Sequence, residues 1–340
     1  MGVGAGRERN DHAEHGREAR HPMLTRLGMW AETLALTSPW TNVYGVARTM
    51  LALATAATLI TSSTETLFRP ALGFPGVPAC VGAGRLSFFC LIPRQDLALG
   101  QAIAAAILLV VASGWRPRLT GVPHWWISYS FAVSATIPDG GDQVIQILAL
   151  LLVPVTVTDP RGWHWQSAPQ TVRPIASLVA WSALFVARLQ VAGIYFDSSL
   201  AKLATPVWVD GTAFYYWSTD PAFGTPWWMR GLIEPVITSS SGVALLTWGP
   251  LALEFAIALG LVLDQRARSR LLVLGIGFHA GIAVMIGLVS FAIAMWAALI
   301  LFLRPMRQEF DVRGLAPLRI FRLWFRESAR RAPLPRIVGE

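Results

Sequence analysis

Residues 242–264, GVALLTWGPLALEFAIALGLVLD, carry a single ionisable group, Glu254, ahead of the terminal aspartate. A helix needs about 20 mostly apolar residues to cross the hydrocarbon of a bilayer, and this stretch supplies them. Working outward, comparable runs occupy 44–62, 97–114, 143–158 and 174–196. Another, 270–303, is long enough for two crossings with a break near Gly287–Ser290. A weaker stretch, 122–138, VPHWWISYSFAVSATIP, is short and rich in Trp, Tyr and Ser; counting it as a span brings the total to about eight. Composition agrees: 54% of residues are hydrophobic and 14% charged, against about 25% charged in a soluble domain. The expected fold is all-α, a polytopic transmembrane helix bundle of about eight spans.

Charge placement orients the bundle. The formal net charge is +8, from 28 Lys+Arg against 20 Asp+Glu, and 27 of the 28 cations are arginines, Lys202 being the exception. These charges flank apolar runs instead of lining one soluble face, so they read as topology signals and not as a nucleic-acid surface. With eight spans and both termini cytoplasmic, 21 of the 28 fall on the inside and five outside (Arg69, Arg85, Arg94, Lys202, Arg230), while Arg48 and Arg188 lie within helices. Dropping the weak third span would put Arg266–Arg270 outside and spoil the asymmetry. The expectation is therefore a multi-pass protein of the cell membrane. It has a charged cytoplasmic N-terminal segment at 1–38, a membrane domain at 39–305 and a basic cytoplasmic tail at 306–340. No secretory signal is expected, because residues 1–40 hold no short apolar stretch ending in a cleavage site. RGLAPLRIFRLWFRESARR, 313–331, reads as a cationic helix on the inner leaflet, its lipid contact, or else as a disordered basic tail.

Ionisable groups inside spans are costly and mark sites or buried pairs. Glu254 needs a cation, and Arg188 is the expected partner, either to fix packing or to serve a site. His279, in GIGFHAGIAVM, is a satisfied core histidine or a proton carrier; Arg48 is expected to snorkel to the inner surface. Lys202 has chemistry that arginine lacks, since it can act as a base or nucleophile, and Asp197 and Asp210 are its expected partners. It sits in an outer segment rich in aromatics, among them Trp208, Tyr215, Tyr216 and Trp217, that otherwise reads as an interfacial belt. Asp139-Gly-Gly-Asp142 fits a tight outer turn whose carboxylates orient a base or cap a helix. Cys80 and Cys90, ten residues apart in an outer loop, suit a structural disulfide, with free thiols or a redox pair as alternatives. GxSxG, HExxH, CxxC, P-loop and dinucleotide patterns are missing, which argues against a standard hydrolase triad and against metal hydrolysis; no metal site is expected.

Several segments together resemble the sporulation-delaying protein B family, membrane proteins that mature a secreted peptide toxin. They are PWTNVYGVARTMLALATAATLI (39–60), the Cys80–Cys90 loop with SFFCL, DGGDQ (139–143), TDPRGWHW (158–165), YFDSSLAKLATPVWVDGTAFYY (195–216) and the Phe-His pair at 278–279. That family is similar in turn to the horizontally transferred transmembrane domain of vitamin K-dependent γ-carboxylase, through a helix end carrying Ser199 and Lys202 and then Trp208, Asp210 and Gly211. The resemblance implies Lys202 as a base acting toward a reduced, vitamin K-like membrane quinone, with His279 as a second site residue. It also implies a secreted precursor peptide and a small soluble accessory protein as partners. The chain has no counterpart of the carboxylase's large lumenal domain, so the resemblance does not extend to glutamate carboxylation. A competing function from another class is transport of the peptide, or immunity to it, with Arg188, Glu254 and His279 lining a path.

Overall fold

A computed structural model describes residues 22–70, 76–136 and 138–311. In chain order the helices are α1 (Pro22–Ala35), α2 (Asn42–Thr61), α3 (Thr64–Leu67), α4 (Leu97–Ser113), α5 (Pro117–Ser134), α6 (Gly140–Thr158) and α7 (Pro174–Leu203). There follow α8 (Pro206–Val209), α9 (Ala213–Thr219), α10 (Arg230–Ile237), α11 (Ser240–Ala258), α12 (Gln265–Ile286) and α13 (Val289–Leu303). No strand forms among the described residues. Among the described residues six helices are long and apolar enough to cross a membrane: α2, α4 with its leading turn, α6, α7, α11 with its following turn, and α12. The molecule is thus an all-α, polytopic membrane bundle. The weak third stretch is a helix too, α5, shifted to start at Pro117, and the long apolar run is broken into α12 and α13 at Gly287 and Leu288.

Helix α13, 15 residues long, is the centre of the bundle; from Ala297 to Leu303 every residue is buried. Small residues on facing helices let neighbours approach closely. A Cβ at Gly260 would come within 2.7 Å of Leu303, and one at Gly141 within 2.8 Å of the Phe291 backbone. One apolar core joins α2, α6, α7 and α13, and a second joins α2, α4 and α5 with Phe68 and Phe89 from the connection between α2 and α4. The serines of α5 explain its polar appearance. Ser130 and Ser134 bond the loop at Phe88 and Ser87, and Trp126 and Tyr129 donate to the carbonyls of Leu86 and Ala83. Cys80 and Cys90 form a disulfide within that loop.

The end of α7 departs from expectation. Helix α7 continues to Leu203, seven residues past the expected end, because Ser198 and Lys202 face Glu254 inside the bundle and the Ser199 hydroxyl is satisfied by the Tyr195 carbonyl of its own helix; Lys202 is in its last turn. The N-terminal segment contains α1, which packs on the start of α7 through Ser177 and Trp181, both donating to Thr37 O at 2.6 and 3.0 Å. The expected tail helix at 313–331 lies outside the described residues.

Candidate functional site

Helical spacing puts Tyr195, Ser198 and Lys202 on one face of the last two turns of α7. The Lys202 ammonium donates to Ser198 Oγ and to Glu254 Oε2, both at 2.6 Å, and the Ser198 hydroxyl donates to the same carboxylate oxygen at 3.2 Å. Its remaining neighbour is the face of Trp208, 5.4 Å from the ring centre. Both ends of the pair are largely shielded, with side-chain exposures of 20% for Lys202 and 7% for Glu254. Glu254 lies about 14 residues, roughly 21 Å, from the start of α11, so the ion pair is sunk between helices and does not sit in the loop. One turn below, Tyr195 Oη and His279 Nε2 are 2.8 Å apart, and His279 Nδ1 is buried without a partner. Beside these groups is a cavity of about 430 Å³ lined by Glu254, Ser198, Tyr195 and His279 on one side and by Ile147 and Phe291 among others.

The expected partners need correction. Arg188 does not meet Glu254. Its Nε and Nη2 donate to Phe302 O at 2.9 and 2.7 Å, a carbonyl that the end of α13 leaves free; it lies about 14 residues, roughly 21 Å, below Lys202 along α7. Asp210 is exposed and makes no ion pair with Lys202; Asp197 is exposed at the cavity rim. Tyr216 is 58% exposed and packs edge-on against Tyr215, away from the centre. Asp139 and Asp142 form a reciprocal capping box at the start of α6, each backbone N–H reaching the other's carboxylate at 3.0 Å. This seats Gly140 and Gln143 at the cavity wall. Among the described residues no metal-ligand cluster forms.

The chain is 33% identical over 284 residues to the Sporulation-delaying protein SdpB of Bacillus subtilis (strain 168), an alignment spanning 83% of this chain and 87% of that protein. It belongs to the sporulation-delaying protein B family. It is also 40% identical over 271 residues to the uncharacterized protein YitO of the same organism, covering 79% of this chain and 87% of YitO. No family model and no solved structure matches the chain.

In this sporulation-delaying protein B family member a second polar cluster lies at the other end of the bundle. Arg48 does not snorkel. It is fully buried and donates to Thr120 Oγ1 at 2.7 Å, with Nη1 3.5 Å from His164 Nδ1. The Thr49 hydroxyl spends its proton on Ala112 O, so at 3.2 Å it accepts from His164 Nε2, and Nδ1 is left to accept from Arg48. Burial, and after it the Arg48 and Arg161 guanidiniums, push the His164 imidazole well below its ordinary range, so the ring is neutral. Gly45 and Gly114 make room for it; at Gly114 (φ +85) an added Cβ would meet the ring at 2.5 Å. Arg161 grips both oxygens of Asp159 at 2.8–3.2 Å, and the Tyr44 hydroxyl donates to the same carboxylate. The sequence signal for this cluster was TDPRGWHW itself, a loop with too many polar and aromatic groups for a plain connection.

Proposed function

We propose that this chain is an integral membrane factor that matures a secreted precursor peptide toxin, with Lys202 as the base of the chemistry and the outer face as the place where the peptide is met. The observation that carries the reading is the Lys202–Glu254–Ser198 group set against a cavity of about 430 Å³. Such a paired lysine has a defined route to its basic form: Glu254 takes the ammonium proton along the 2.6 Å hydrogen bond, leaving a lone pair on Nζ. Ser198 keeps Nζ aimed while the proton moves, and Trp208 shields it from solvent.

A reduced, vitamin K-like quinone fits the same cavity: Ile147, Phe291 and Met295 offer apolar walls for a ring, and the orphaned His279 Nδ1 is free to bond a ring oxygen. When bound, such a quinol would supply, on oxidation by an external two-electron oxidant such as dioxygen, a base strong enough to remove a substrate proton. The chain's own part is to hold the ring through His279 and Tyr195, exclude water and manage the proton at Lys202. A small soluble accessory protein presenting the precursor completes the proposed system, with both termini of the chain in the cytoplasm.

The test is co-expression of the precursor with and without this chain, followed by mass spectrometry of cell and medium fractions. Maturation predicts a changed mass or a cleavage that requires the chain. A precursor of unchanged mass that merely shifts between fractions would show transport without chemistry.

A further inference from the structure

A second cavity, of about 370 Å³, opens between the start of α5 and the start of α7; Arg118, Arg173, Thr158, Thr171, Ala176 and Trp40 line it. Both arginines are exposed, and among the described residues neither is in an ion pair. Among the described residues no carboxylate lines the cavity. The nearest acid in sequence, Asp159, is fully buried and consumed by Arg161 and Tyr44, so its charge is turned away. The recess is therefore cationic and uncompensated, and the ligand it suits is an anion with several oxygens.

The surroundings point to the source of that anion. Next to each arginine stands an exposed aliphatic side chain, Leu119 at 59% and Ile175 at 79%, and the nearby α1 exposes Met29 and Trp30 at 57% and 60%. Cationic groups beside exposed apolar side chains match a headgroup with its acyl chains and not a free ion. Trp40, held by its indole N–H on Val155 O at 3.0 Å, gives the recess a rigid apolar floor. The loops bearing both arginines are also among those the charge asymmetry puts on the inner side, where anionic lipid concentrates. We propose that this cavity seats the phosphate of an anionic phospholipid, with Arg118 and Arg173 as its ligands. The site is separate from the Lys202 centre and does not depend on the function proposed for it.

The experiment uses the full chain in uncharged detergent micelles, titrated with phosphatidylglycerol, phosphatidylcholine or inorganic phosphate, with bound lipid counted by native mass spectrometry. Phosphatidylglycerol should bind in preference to phosphatidylcholine, and less tightly as salt rises. Its affinity should fall roughly thirtyfold in Arg118→Gln/Arg173→Gln, about fivefold for each charge removed, and return in part in Arg118→Lys/Arg173→Lys. The melting midpoint in lipid-free micelles separates lost binding from lost fold, and the single variants carry the test if the double variant does not fold. Equal affinity in wild type and the glutamine variants, or no preference between the two lipids, would overturn the proposal. Binding of inorganic phosphate with no retained lipid would overturn the lipid as the source.

Discussion

The two polar clusters of this bundle use the same kinds of residue to opposite ends. At one end Arg48, Asp159, Arg161 and His164 are packed against Thr49, Thr120 and the close approach of Gly45 and Gly114, and the ring of His164 has no room to move. At the other end Ser198, Glu254 and His279 border open volume, Lys202 is bonded to the first two, and one histidine nitrogen is left unpartnered. Buried charge alone does not mark a chemical site. A cluster packed tight on all sides, even with Arg48 Nε unpartnered, fixes helices, whereas one that faces a cavity with a free histidine nitrogen can act on a ligand.

The largest effect expected from breaking this contrast is in the closed cluster. Asp159→Asn leaves the buried Arg161 guanidinium without its carboxylate and should cost about 3–5 kcal/mol of stability, read as a fall in the melting midpoint in detergent and in folded yield. Glu254→Gln should do the reverse: mature product falls about a hundredfold, while the melting midpoint drops less than in Asp159→Asn.

A smaller effect concerns pH. His164 is neutral in the folded protein at pH values where the unfolded chain takes up a proton, so the unfolded state binds more protons below the ordinary histidine value near 6.5. Stability should be flat above that point and fall as pH drops through it, by at most about 1.4 kcal/mol per unit for this group. His164→Gln, measured in the same buffers, should show a shallower fall. At the small end, Asp210→Asn and Tyr216→Phe touch exposed side chains outside the centre and should change stability by less than about 0.5 kcal/mol, with mature product at the wild-type level.

What the sequence revealed follows the range of the interactions. Apolar runs, the break at Gly287, the Asp139–Asp142 cap and the cysteine loop depend on neighbours within a few residues, so their placement could be read directly. The pairing of Glu254 could not, because Lys202 is 52 residues away and the expected Arg188 was closer to the middle of a span. The end of α7 is hard to place for a related reason: Asp197, Ser198 and Ser199 look like a loop unless the inward bond of Ser198 to Glu254 is known. His164 escaped notice because it lies in a connection, although its ring is fully buried.

The most direct measurement is the mass of the peptide produced by cells carrying Lys202→Arg, normalised to folded membrane protein. Arginine keeps the positive charge opposite Glu254 but cannot give up its proton, so folding should be retained and modified product should drop to about a hundredth of wild type or below. Product of the mature mass at undiminished yield from that variant would contradict the assignment of Lys202 as the base.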